Sequence, residues 1–151
     1  MAMKMTKALN SFDMNALWLF VVYFVGGYLL YGAILAGIGA AADSEQDSQQ
    51  LSTIGYLPLI IPILLVNSIV QNPNSQLAFW TSLVPFFSPI IMVVRVTASE
   101  VPYWELFLSI ALLAGFVALM ATASARIYRV GIFTYGQKVT AKDLWKWLWI
   151  R

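Results

Sequence analysis

The chain is 151 residues long, with nine basic and seven acidic side chains and no cysteine or histidine. That removes thiol nucleophiles, disulfides, imidazole bases and the usual zinc and haem ligands. The run Gly131-Ile-Phe-Thr-Tyr-Gly136-Gln137-Lys138 approaches a phosphate-binding loop. It fails where the chemistry is done. Gln137 stands where lysine must follow the glycine, Val139 stands where a hydroxyl must reach magnesium, and no strand precedes it. Asp43, Glu45 and Asp47 alternate within Asp43–Gln50 and could face a cation, but the glycine turn and closing bidentate glutamate of a calcium loop are missing. A solvated connection accounts for them more simply. No Gly-x-Ser-x-Gly elbow, HExxH pair or paired intramembrane carboxylates appear. The longest apolar segments hold no ionisable residue, which argues against a proton relay. The chain is expected to hold no metal or cofactor, to bind no nucleic acid, and not to be an enzyme.

The rest of the sequence belongs to the membrane. It is 60% hydrophobic and 11% charged, with a mean hydropathy of +0.76. Soluble domains are nearer half apolar and a quarter charged. The expected fold is an all-α integral membrane protein. Met1–Asp13 does not read as a secretory signal, because the apolar run after it is longer than a signal core of about 7–15 residues.

One uncharged segment, Ser48 to Val94, organises the chain. It is more than twice the about 20 residues that one crossing needs. Its centre is polar, with Asn72, Pro73 and Asn74 flanked by Gln71, Ser75 and Gln76. Its apolar parts carry Pro58, Pro62, Pro85 and Pro89, and proline removes a backbone donor and clashes with the preceding turn, so broken or kinked helices are expected.

The expected elements follow in order. A polar lead, 1–13, precedes a transmembrane domain over 14–125, with spans at 14–42, 51–70 and 106–125. An acidic loop, Asp43–Gln50, joins the first two. A proline-broken piece occupies 77–94, and Arg95–Glu105 is a polar loop whose Tyr103 and Trp104 suit an interfacial belt. In the first span Gly32, Ala36 and Ala40 share a stripe, with Ala33, Gly37 and Ala41 beside it. In the last span Gly115 and Ala118 belong to a small face opposite Leu108, Leu112, Phe116 and Leu119. Small residues at this spacing let helices approach closely, within one chain or between copies. The small face of the last span is expected to pack, and its bulky face to meet lipid or a partner. The tail, 126–151, has Arg126, Arg129, Lys138, Lys142, Lys146 and Arg151 against Asp143 alone, which places it in the cytoplasm. Thr140 can cap a terminal amphipathic helix in which Trp145 and Trp149 lie beside lysines, suiting the headgroup region or a cytoplasmic partner.

Two topologies compete. If the prolines only kink the helices, 77–94 is a fourth span and both ends are inside, with Lys4 and Lys7 in support. If 77–94 dips in and returns, there are three spans and the amino end is outside.

Four stretches carry a resemblance. They are Tyr28-Leu-Leu-Tyr-Gly-Ala-Ile-Leu-Ala-Gly-Ile-Gly-Ala-Ala-Ala-Asp43 with the acidic run after it, Gln71-Asn-Pro-Asn-Ser-Gln76 with Leu83-Val-Pro-Phe-Phe-Ser-Pro-Ile-Ile-Met92, Glu100-Val-Pro-Tyr-Trp-Glu105, and Ala125-Arg-Ile-Tyr-Arg-Val-Gly-Ile-Phe-Thr-Tyr-Gly136. In this order they resemble the membrane subunits of type 2 ABC exporters, in particular NatB-like bacterial permeases. The resemblance implies three transmembrane helices plus a re-entrant helical segment at 77–94 on the outer side, capping a translocation route. It implies a separate ATPase subunit and a second permease copy or complementary half as partners, besides the lipid bilayer. It implies a multi-pass protein of the bacterial inner membrane with a cytoplasmic carboxy terminus. Such permeases have six spans, and this chain resembles the last three. The coupling helix that meets the ATPase is not among them, so a fragment, a truncated product and half of a split permease are all open. On this reading Pro85, Ser88 and Pro89 form the gate, Asn72-Pro73-Asn74 is its hinge, and Arg126 and Arg129 anchor the last span at the headgroups. A self-standing four-span structural or accessory membrane protein with no ATPase is the other reading.

Overall fold

The computed structural model describes residues 14–42 and 44–133. The expected terminal helix with Trp145 and Trp149 lies outside these residues. The described chain is all-α, with five helices: α1 Met14–Ala41, α2 Glu45–Gln71, α3 Gln76–Leu83, α4 Ser88–Ala98 and α5 Tyr103–Phe133. Three of them contain apolar spans of 27 residues each, about 40 Å of helix against an apolar core of about 30 Å. By length and composition α1, α2 and α5 can each cross a membrane.

The expected acidic loop is largely helix. Ser44 caps α2 by accepting the Asp47 amide at 3.1 Å and donating to the Asp47 carboxylate at 2.7 Å. Glu45 and Asp47 then sit in the first turn, where the helix dipole favours acids. Pro58 and Pro62 do not break α2, which runs through both. The breaks fall where a proline coincides with polar or turn residues. Asn72 caps α2, its amide donating to Ser68 O at 3.1 Å, and Ser75 caps α3 by accepting the Ala78 amide at 3.2 Å. The piece 77–94 is divided at a turn around Pro85, where the amides of Phe87 and Ser88 donate to Val84 O at 2.9 and 2.8 Å. α3 has 8 residues and α4 has 11, about 12 and 16 Å of helix, so neither can cross.

α1 and α5 pack in parallel. A Cβ on Gly26 would lie 2.5 Å from Leu113, and one on Gly37 2.6 Å from Ser124 Oγ, equal distances along both helices. Ser124 Oγ donates to Ala33 O across the same seam. α2 runs back beside α1, with Gly55 close to Ile38. The main core cluster joins Tyr23 and Leu30 of α1, Met92 of α4, and Leu106 and Leu113 of α5. A smaller one joins Ile69 of α2, Ala78 of α3 and Ile91 of α4. α2 is the least enclosed span, with 11% of its apolar window buried against 22% and 17% for α1 and α5.

Within the chain, only part of these small residues is used for packing. Gly32 and Ala36 are exposed and Ala40 is half-buried, while the neighbouring stripe, Ala33, Gly37 and Ala41, makes the contacts within the chain. On α5 the expected inner face is turned outward. Gly115 and Ala118 are exposed, and Leu113, Phe116, Val117 and Met120 pack inward. The other bulky residues, Leu108, Leu112 and Leu119, do face outward. Large side chains bury more apolar area per position, so the core recruits them wherever the neighbouring helix offers room.

Candidate functional site: a re-entrant hairpin fastened by a buried ion pair

α3 and α4 form a helical hairpin. α3 lies beside the start of α5, with the rings of Phe79 and Trp104 6.1 Å apart and Ser109 Oγ donating to Ser82 O at 2.9 Å. α4 returns along the same helix, from Phe86 against Phe116 at the turn to Arg95 against Glu105 at the base. The hairpin therefore enters and leaves at one end of the bundle. Phe116 lies about 20 Å along α5 from Tyr103, which puts the turn near the middle of a bilayer that α5 spans. Exposed Trp18, Trp80, Tyr103 and Trp104 gather at the hairpin's open end, as an interfacial aromatic belt would.

The turn is held on α1. Tyr31 Oη donates to Phe86 O at 3.0 Å, and Pro89 sits so close to Gly27 that a Cβ there would be 2.9 Å away. Glycine is required at position 27 by this approach. Pro89 lies in the first turn of α4, where its missing amide costs no helical hydrogen bond. Ser88 is fully buried, with its hydroxyl 3.5 Å from Pro85 O. Asn72, Pro73 and Asn74 form the tight connection at the other end of α3, beside an open polar pocket of about 510 Å³ shared with Ser68, Gln71 and Ser75. The structure thus brings Pro85, Ser88 and Pro89 together at the turn and places Asn72–Asn74 apart from them, at the base. Arg126 and Arg129 are exposed on the last turns of α5, at the opposite end of the bundle.

The base lies in the polar stretch Arg95–Glu105, whose two ends are helical. Arg95 belongs to α4 and Glu105 to the first turn of α5. Their side chains are 3% and 10% exposed and 2.9 Å apart. The same guanidinium donates to Ser82 Oγ at 2.7 Å and, through Nε, to Pro73 O at 2.9 Å. One cation thereby joins the Pro73 turn, α3, α4 and α5. A guanidinium suits this because its fork presents several fixed donors. The nearby Tyr23 hydroxyl is buried beside Ser109 without closing a hydrogen bond of normal geometry. The signal for the clamp was present in the sequence: an arginine and a glutamate, opposite in sign, bound the polar stretch between the apolar runs 77–94 and 106–125.

Among the described residues no group of His, Cys, Asp or Glu is placed to hold a metal. The arrangement offers no nucleophile beside a base. It offers a mid-membrane wedge with polar fastenings.

Comparison with known proteins supplies the family. Residues 1–126 match the model of the ABC-2 family transporter protein. An uncharacterized protein of Methanocaldococcus jannaschii is 32% identical over 126 residues, which is 83% of this chain and 31% of that protein. The uncharacterized protein YhaP of Bacillus subtilis is 29% identical over 138 residues, 90% of this chain and 33% of that protein. The chain thus spans about a third of the length of these relatives. No solved structure matches it. With most of its length in the family model and three helices able to span a bilayer, this chain belongs to the ABC-2 family of transporter membrane proteins.

Proposed function

We propose that the chain is the carboxy-terminal portion of the permease subunit of an ABC exporter in the cytoplasmic membrane. Its three long helices rock against a second permease copy or a complementary half, and a separate ATPase subunit drives the motion. The α3–α4 hairpin lies on the outer side as the gate of the route, with Pro85, Ser88 and Pro89 at its tip and Asn72-Pro73-Asn74 as its hinge. Arg126 and Arg129 meet the headgroups at the cytoplasmic end, and the basic tail continues there. Gly32 and Ala36, exposed on α1, and Gly115 and Ala118, exposed on α5, offer close-packing faces to the partner helices. The observation that carries the reading is the hairpin itself. Two helices too short to cross return to the side they left, which puts the connections at Asn72–Ser75 and Ser99–Pro102 on one side and the α1–α2 connection on the other.

The test is sidedness. The chain has no cysteine, so Ser48→Cys and Asn74→Cys each give a clean signal with a membrane-impermeant maleimide in whole cells; Asn74 is exposed and Ser48 half-buried. Labelling at Asn74 with protection at Ser48 is expected. Labelling at Ser48 with protection at Asn74 inverts the arrangement and removes the outer-gate reading. Recovery of an ATPase subunit with the tagged permease from mildly solubilised membranes tests the partner separately.

A further inference from the structure

The hairpin is fastened on two sides and only rests on the third. Toward α5 it has the Arg95–Glu105 ion pair, the Ser109-to-Ser82 hydrogen bond and the Phe86–Phe116 contact. Toward α1 it has the Tyr31-to-Phe86 hydrogen bond and the Pro89–Gly27 contact, and α1 is itself tied to α5 through Ser124 and Ala33. Toward α2 its buried cluster is apolar, Leu65 and Ile69 with Ala78, Phe87, Ile91 and Val94. Among the described residues no hydrogen bond or ion pair joins helix α2 to the hairpin. The polar ties nearest to α2, the Ser75 amide to Asn72 O at 3.1 Å and Arg95 to Pro73 O at 2.9 Å, lie past its last helical residue and secure the base.

From this asymmetry we infer that α1, the hairpin and α5 move as one body, with Arg95 as its positioning residue, and that the route opens by parting the α2–hairpin seam. The inference rests on the outer-gate reading. Its physical ground is the solvent. Lipid tails are as apolar as leucine, so an apolar seam between membrane helices loses little when it opens. Opening the α5 side strands a guanidinium, a carboxylate and one hydroxyl contact in a medium that cannot replace their partners. The seam facing α2 is therefore the weak plane.

Two adjacent residues of α4 discriminate. Ile91 belongs to the cluster facing α2 and Met92 to the cluster facing α1 and α5, and both are 0% exposed. Ile91→Cys and Met92→Cys are made in the otherwise cysteine-free chain and treated in native membranes with a water-soluble maleimide. Static burial predicts equal rates. The inference expects Ile91→Cys to react about tenfold faster or more, the factor that one additional hydrogen bond at the opposing seam supplies. Ala78→Cys, a small change at another fully buried position of the α2 seam, is expected to follow Ile91→Cys and serves if that variant does not fold. Equal or faster reaction at Met92→Cys overturns the inference and leaves a moving hairpin. No reaction at any of the three overturns the outer-gate reading as well, because the hairpin is then fixed.

Discussion

Replacing Glu105 by glutamine keeps the shape of the side chain and removes the negative charge that faces Arg95 2.9 Å away. The guanidinium keeps two neutral acceptors, Ser82 Oγ and Pro73 O, and is 3% exposed, so water cannot take over the lost interaction. Removing one partner of a buried pair costs about 3–5 kcal/mol, mostly the penalty of the uncompensated charge. A chain of this size shifts its melting temperature by about 2–4 °C per kcal/mol, so Glu105→Gln should lower it by about 10 °C in detergent or nanodiscs, followed by tryptophan fluorescence. Arg95→Met should fall in the same range, because it strands the carboxylate. The double variant Arg95→Met with Glu105→Leu removes both charges and should recover most of the loss. A double-mutant cycle on these changes should give a coupling of at least about 1 kcal/mol. A Glu105→Gln variant that melts within about 1 °C of the parent refutes the reasoning: at about 2–4 °C per kcal/mol that is less than 1 kcal/mol, too little for a buried charge pair.

Other expectations concern single contacts. Gly27→Ala should destabilise by about 1–3 kcal/mol in thermal melts, because the rigid Pro89 ring stands 2.9 Å from the new methyl. In the chain without its partner, Gly32→Ala and Gly115→Ala meet nothing within 4 Å and should be neutral or stabilising by up to about 1 kcal/mol, the helix-propensity gain. Tyr23→Phe removes a buried hydroxyl without a well-formed partner and should leave the melting temperature unchanged or raise it, whereas a drop of several degrees would reveal a hydrogen bond to Ser109. Ser44→Ala should cost about 0.5–2 kcal/mol and should speed amide exchange in the first turn of α2.

Much of the architecture was legible because bilayer solvation is a strong constraint. Three runs of apolar residues had to be helices, since lipid leaves no other partner for the backbone. The division of 77–94 followed from Pro85 and Pro89 with Ser88 between them. Helix ends were less legible. α2 begins at Glu45 because a local side-chain cap outweighs the polarity of its first turns, and α5 extends to Phe133 past two arginines that interrupt the apolar run but not the helix. Pro58 and Pro62 looked like breakers and were not, for a continuous helix tolerates the loss of two amides when the turns around them persist. Facing was least legible. Gly32 and Gly37 look equally suited to close packing, and only the tertiary register on α5 selects the stripe of Gly37. The Arg95–Glu105 clamp was hidden for a similar reason: a charge at the end of an apolar run reads as a boundary until another helix closes over it.

That clamp also orders the making of the protein. A nascent chain emerges amino end first, so the hairpin is complete while Glu105 is still to come. Pro73 O and Ser82 Oγ are already available to Arg95 at that stage, but the counter-charge is not. The hairpin is then expected to wait at the membrane surface with its arginine in water, and to settle against α1 and α5 once α5 has been delivered. Insertion of the wedge is thus contingent on the last helix. A chain stopped before Glu105 would carry all the residues of the hairpin and still leave it outside the bilayer.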